Sequence, residues 1–127
     1  MATRILIVDD KEQVRQDLRT VLALSGDIEI LGEATNGLEA IRLVETLLPD
    51  VVLLDLEMPI MDGYNAVSAI KSLSPSCRVV VLTVHDYPAA RQKALQAGVD
   101  SFIVKGSSVE QLIKAVLGEC DFMEENQ

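Results

Sequence analysis

Residues 51–63 read VVLLDLEMPIMDG. The opening Val51-Val52-Leu53-Leu54 is a short apolar run without a polar interruption, the pattern of a strand in a parallel sheet covered on both faces. It ends on a carboxylate, Asp55, and passes through Met58-Pro59 and Met61-Asp62-Gly63, whose proline and glycine suit a turn into a helix. The same grammar recurs on either side. Ile5-Leu6-Ile7-Val8, Val79-Val80-Val81-Leu82 and Phe102-Ile103-Val104 are equally short and rich in β-branched residues. Ile28 to Ala34 makes a fifth run, in which Glu29 and Glu33 suit a strand nearer an edge.

Helix-period segments separate these runs. Val14, Leu18, Val21 and Leu22 form one stripe, Leu38, Ile41, Val44 and Leu48 a second, and Val109, Leu112, Ile113, Val116 and Leu117 a third. Asn36 is placed to cap the second helix, Gly98 to end the fourth, and Ser107 with Glu110 to form a capping box for the fifth. The fourth helix, from about Tyr87 to Ala97, offers mainly Ala89, Ala90, Ala94 and Ala97, with Leu95 its one large apolar residue. Little area is buried per turn, so this helix should be the most loosely held of the five and the one that moves.

Five βα units in alternation predict a doubly wound α/β sandwich around a five-stranded parallel sheet, strand order 2-1-3-4-5, a flavodoxin-like (βα)5 arrangement. Such a sheet binds ligands beyond the carboxyl ends of its strands. The length of 127 residues suits one domain, read as 1–120 with a tail over 121–127. No apolar run approaches the roughly 20 residues of a membrane span, and the start has no signal-peptide pattern, so the expected location is cytoplasmic and away from membranes. The net charge of −9 disfavours direct nucleic-acid binding by this domain. Cys77 and Cys120 lack metal or redox spacing and read as reduced thiols, while His85 as the one histidine excludes multi-histidine metal sites.

The acidity gains meaning from its placement. The first strand run is followed by Asp9-Asp10, the third by Asp55, the fourth by Thr83 and the fifth by Lys105. In the predicted order these four strands are neighbours, so their ends converge; the edge strand delivers nothing there. Any one of these residues alone is an ordinary strand-end cap or surface charge. Together they make three carboxylates that repel one another unless a cation or lysine neutralises them. Hard oxygen donors partly open to water suit Mg²⁺. With one ammonium and one hydroxyl added, the set is equipped to hold a transferring phosphoryl group while a carboxylate attacks in line.

The stretches ILIVDD (5–10), LLDLEMPIMDG (53–63), VVLTVHD (80–86) and ALQAGVDSFIVK (94–105) resemble the CheY-like receiver domains of two-component response regulators, with the ATNGLEA and TVHD stretches closest to the NarL/FixJ-type subgroup. The resemblance implies that Asp55 is the phosphoacceptor, charged by the phosphohistidine of a sensor histidine kinase or phosphotransfer protein. It implies that Asp10 ligates Mg²⁺ directly and Asp9 through water, with Asp55 and the backbone carbonyl of Glu57 completing the set. Lys105 pairs with the phosphoryl oxygens, Thr83 moves to bond one of them, and Phe102 is the switch aromatic that turns inward. His85 occupies a position that tunes water access. The switched surface would act on an output domain, a partner, or a second copy in a homodimer; NarL/FixJ-type regulators continue into a helix-turn-helix DNA-binding domain, possession of which would make the protein a transcription regulator.

Two positions depart from the family pattern: Gly106 follows Lys105 where proline is common, and Val84 follows Thr83 where a small residue is frequent. The first leaves the geometry of the Lys105–Gly106 bond open; the second narrows access to Asp55. Tyr64 and Tyr87 read as packing or surface residues. Three rival functions would make different demands on these residues. A haloacid-dehalogenase-like phosphatase would want Asp two residues after Asp55, where Glu57 stands. A flavodoxin-like cofactor carrier would want a phosphate loop where Asp9-Asp10-Lys11-Glu12 stands. A phosphorylation-independent adapter would not need the complete acid, threonine and lysine set.

Overall fold

Each short β-branched run becomes a strand because its residues can bury both faces at once, and each amphipathic segment becomes a helix that supplies the cover. In the computed structural model the order is β1 (Thr3–Val8), α1 (Glu12–Leu22), β2 (Ile28–Ala34), α2 (Gly37–Leu47), β3 (Val51–Asp55), α3 (Gly63–Leu73), β4 (Arg78–Thr83), α4 (Pro88–Ala97), β5 (Ser101–Val104) and α5 (Val109–Val116). The structure describes residues 2–58, 60–84 and 86–119. Pro59, His85, Cys120 and the tail 121–127 lie outside the described residues.

All strands are parallel, in the order β2-β1-β3-β4-β5. Strand side chains alternate, and the two resulting layers are distinct. Leu6, Val8, Val52, Leu54, Val79, Val81 and Phe102 face α2, α3 and α4, where Ala40, Val44, Ala66, Ile70, Ala90 and Ala94 meet them. Ile5, Ile7, Val51, Leu53, Val80 and Ile103 face the other way onto Leu18 and Leu22 of α1 and Leu112 and Val116 of α5. At the edge, β2 is mostly half-buried, and its pairing with β1 shifts register between Ile5 and Leu6.

Helix ends follow their sequence signals with one correction. The Asn36 side chain accepts from the Glu39 N–H at 2.9 Å, and Gly98 closes α4 at φ +102°, a left-handed conformation suited to glycine. The cap of α5 is Ser108, not Ser107: its Oγ accepts from the Gln111 N–H at 3.2 Å. Both serines have an acidic or amide residue three positions on, and a turn through Gly106 at φ +99° delays the helix by one residue.

The stripe on α2 also differs from expectation. Leu38 and Leu48 are exposed, and the buried positions are Gly37, Ala40 and Val44. Small residues win because α2 lies close against α3: a Cβ on Gly37 would sit 3.0 Å from the Ala66 methyl. On α4, Leu95 is exposed, leaving Ala90 and Ala94 as the buried side chains. The start of α3 is tighter still, since a Cβ on Gly63 would meet the Leu56 carbonyl oxygen at 2.6 Å. That glycine lets the loop after β3 fold back beneath the carboxyl edge of the sheet.

Candidate functional site

Strand register brings the polar residues to one edge. Val8 lies opposite Leu54 and Asp55 opposite Leu82, so Asp9, Asp55 and Thr83 follow their neighbours off the sheet within a residue of one another. Thr83 pairs with Val104, which places Lys105 next, and the Lys105 N–H donates to the Thr83 carbonyl at 2.7 Å. Asp9, Asp10 and Asp55 each offer an oxygen within 4.8 Å of the others. Lys105 Nζ lies 3.4 Å from Asp55 Oδ2 and 3.8 Å from Asp9 Oδ2. The structure thus unites Asp9, Asp10, Asp55, Thr83 and Lys105, as the strand ends predict.

Asp9, Asp55 and Thr83 are buried, whereas Asp10 is exposed. Backbone amides orient the two buried carboxylates: the Lys11 N–H donates to Asp9 Oδ1 at 2.9 Å and the Glu57 N–H to Asp55 Oδ1 at 3.1 Å. Burial is the main reason that the Asp9 carboxyl is held above its ordinary range. The Lys11 amide opposes that rise, the Asp55 charge adds to it, and Lys105 offsets part of it. Lys11 itself lies above the usual lysine range because Asp10 is beside it. Crowded anionic oxygens, one lysine and an open side are a donor set that fits a hard divalent cation such as Mg²⁺.

Around this centre the loops have particular shapes. No peptide bond among the described residues is cis, so the Lys105–Gly106 bond is trans, and the φ of Gly106 at +99° is one that proline's ring forbids. Ile60, in the loop between β3 and α3, also has positive φ (+77°) with its side chain exposed; a branched residue held this way carries roughly 1–3 kcal/mol of strain. Val84 is exposed where the chain leaves β4, as is Tyr87 further along the loop, and Tyr64 is half-buried beneath the Lys93 ammonium. Phe102 is already inward, 1% exposed, with the Arg91 guanidinium 4.8 Å from its ring centroid. Arg91 also pairs with Asp86 at 2.7 Å, tying α4 to the loop that follows β4.

Sequence reasoning missed the contribution of the edge strand. Glu33 of β2 receives both Arg15 and Arg19 from α1, and Arg15 also donates to the Asp9 backbone carbonyl at 2.8 Å. The Glu33 carboxyl is held below its ordinary range, first by the Arg19 hydrogen bond. The available signal was a glutamate near the end of an otherwise apolar strand. Cys77 is buried, and desolvation pushes its thiol up to about 11, which makes it a poor nucleophile at neutral pH.

The family model described as response regulator receiver domain matches residues 5–117. The chain belongs to the response regulator receiver domain family. This receiver domain is 40% identical over 114 residues to a NarL protein of Mycobacterium tuberculosis, covering 90% of the chain and 53% of that protein. It is 40% identical over 116 residues to the response regulator protein VraR of Staphylococcus aureus, covering 91% of the chain and 56% of that protein. The solved signal receiver domain of the M. tuberculosis NarL superposes with a TM-score of 0.87 at 38% identity, covering 92% of this chain and 94% of that one. The chain spans about half the length of the curated relatives it matches. These relatives agree with the NarL-type subgroup, and a phosphorylation-dependent switch is the function that fits the receiver domain; neither the phosphatase nor the adapter reading finds support.

Proposed function

We propose that Asp55 accepts a phosphoryl group from the phosphohistidine of a sensor histidine kinase or phosphotransfer protein. In that step a P–O bond to an Asp55 carboxylate oxygen forms as the P–N bond of the donor breaks, and the imidazole leaves. Asp10, Asp55 and the Glu57 carbonyl would hold Mg²⁺, with Asp9 acting through water. When bound, the ion offsets charge on the phosphoryl oxygens. Lys105 supplies a second positive charge from the β5 side, and the Thr83 hydroxyl is the donor from β4. The observation that carries this reading is the approach of Lys105 Nζ to Asp55 within a cluster of three carboxylates at the carboxyl edge of the sheet.

The phosphoryl group brings about −1.5 to −2 charges and new acceptor oxygens. Thr83 and Lys105 bind these better in one arrangement of β4, the loop after it and α4. Phe102 is inward in this structure, the orientation that the receiver-domain resemblance associates with the switched state. A cleft of about 330 Å³ between α1 and α5, lined by Val14, Leu18, Ile103 and Leu112, runs up to Lys105. Downstream, the receiver controls an output domain or partner, including a second copy of itself. The names of relatives include transcriptional regulatory and DNA-binding response regulators, which favours transcription control in the cytoplasm. Among the described residues no helix is long and apolar enough to cross a membrane.

On this reading the domain takes part in its own phosphorylation and dephosphorylation without turning over external substrates. Incubation with a small phosphodonor and Mg²⁺, followed by mass spectrometry, should show one phosphoryl adduct on the wild type and none on Asp55→Asn. Undiminished labelling of the variant removes Asp55 from its role. Multiple turnover of phosphate monoesters would favour a phosphatase instead.

A further inference from the structure

Arg15 holds two groups at once. Its Nη1 donates to the backbone carbonyl of Asp9 at 2.8 Å, and its Nε donates to Glu33 Oε1 at 2.8 Å. The other Glu33 oxygen is taken by Arg19, so neither end of the clamp is loose. The Asp9 N–H is fixed as well, donating to the Ala34 carbonyl at 3.1 Å, and the Asp9 side chain is held by the Lys11 N–H. The Asp9 carbonyl belongs to the peptide plane joining Asp9 to Asp10. Its orientation therefore sets the direction in which both carboxylates leave the chain.

We infer that Arg15 is a positioning residue: by clamping the Asp9–Asp10 peptide to Glu33 of the edge strand, it aims the two carboxylates of the β1–α1 loop and so sets the affinity of the site for Mg²⁺. The inference rests on reading the acid cluster as a Mg²⁺ site. A guanidinium is suited to the task because its planar fork reaches two acceptors in fixed directions. Groups that orient metal ligands from behind commonly matter about 10–100-fold in metal affinity or activity. A plain electrostatic role has the opposite sign, since a positive charge near the cluster opposes cation binding.

That difference in sign makes the test sharp. Mg²⁺ affinity is measured by calorimetric titration of the unphosphorylated protein, for wild type, Arg15→Lys and Arg15→Met, with thermal melts alongside. Lysine keeps the charge but is a compact ammonium that does not bridge both acceptors. The clamp predicts that both variants bind Mg²⁺ about tenfold more weakly, and that saturating Mg²⁺ restores labelling of Arg15→Lys by a small phosphodonor. An Arg15→Lys affinity equal to wild type, or an Arg15→Met affinity above it, overturns the clamp. A change in melting temperature with no change in affinity also overturns it, leaving Arg15 a staple between α1 and β2. Should the Arg15 variants fail to fold, Glu33→Gln loosens the far end of the clamp and should weaken Mg²⁺ binding in the same direction; unchanged affinity counts against it. Wild type that binds no Mg²⁺ would bring down the reading of the acid cluster together with the clamp. Wild type that binds Mg²⁺ and is labelled, beside an unaltered Arg15→Lys, brings down the clamp alone.

Discussion

At the scale of single residues, the site trades stability for function. Asp9 is buried with its carboxyl held above the ordinary value of 3.8, chiefly by desolvation. A group whose pKa is raised by folding contributes stability below its unfolded value, and that contribution is lost as pH rises through the folded value. Near neutral pH and without a cation, ionised Asp9 is therefore a cost to the fold. Asp9→Asn should raise stability at pH 7 in the presence of a chelator by about 1 kcal/mol, the usual size of a single-substitution effect. Melts taken across pH should show the gap closing as pH falls through the raised folded value and gone below 3.8, and Mg²⁺ should narrow it by stabilising the wild type. A variant less stable than wild type at pH 7 would refute this. Glu33 has the opposite sign: its carboxyl is lowered by Arg19, so its contribution is present above the ordinary 4.5 and fades as pH falls through the lower folded value. Asp9, Asp10, Asp55, Thr83 and Lys105 were legible in the sequence because each ends an apolar run or directly follows one. The Arg15–Glu33 pair was not, because it joins a helix face to an edge strand 18 residues away and neither residue ends anything.

At the scale of elements, α4 differs from the other helices. Its buried side chains are two alanines, Leu95 is exposed, and its polar ties include Arg91, which bridges Asp86 and the Phe102 ring, and Lys93, which lies over the Tyr64 ring. Little buried apolar area means a low free energy of local opening. Hydrogen exchange should find the amides of α4 less protected than those of α2, α3 or α5; equal protection would contradict a loosely held helix. Arg91→Ala removes a cation–π contact of about 0.5–1 kcal/mol and an exposed ion pair of about 0.2–1 kcal/mol, so exchange in α4 should speed up several-fold. The caps at Asn36 and Gly98 follow from local chemistry, because a capping side chain or a glycine acts within a few residues. The stripe on α2 does not, because Gly37 and Ala40 are buried by a neighbour, α3, that periodicity cannot place. The one-residue error at Ser107 has the same character: two serines satisfied the pattern, and the turn at Gly106 chose between them.

For the whole molecule, parallel order 2-1-3-4-5 is what turns separate strand ends into one site. Four neighbouring strands, β1, β3, β4 and β5, bring their carboxyl ends together, β2 braces the first of them through Glu33 and Arg15, and the helix whose buried side chains are two alanines follows the strand that carries Thr83. The topology was legible because nearly continuous apolar runs demand cover on both faces, and right-handed crossovers leave few ways to provide it. The inward placement of Phe102 was not legible, since an aromatic in a strand suits either a packed or a turned-out position. Chemistry at the acid edge and movement at α4 are joined only if a phosphoryl-like group on Asp55 is felt by Thr83 and beyond. The most direct measurement is an amide-resolved NMR comparison of the protein with and without beryllofluoride and Mg²⁺. The expected result is a saturable set of shifts spanning Asp55, Thr83 and Lys105 and continuing through α4 to Phe102, absent in Asp55→Asn. Shifts confined to the acid edge, with α4 and Phe102 unchanged, would contradict a switch.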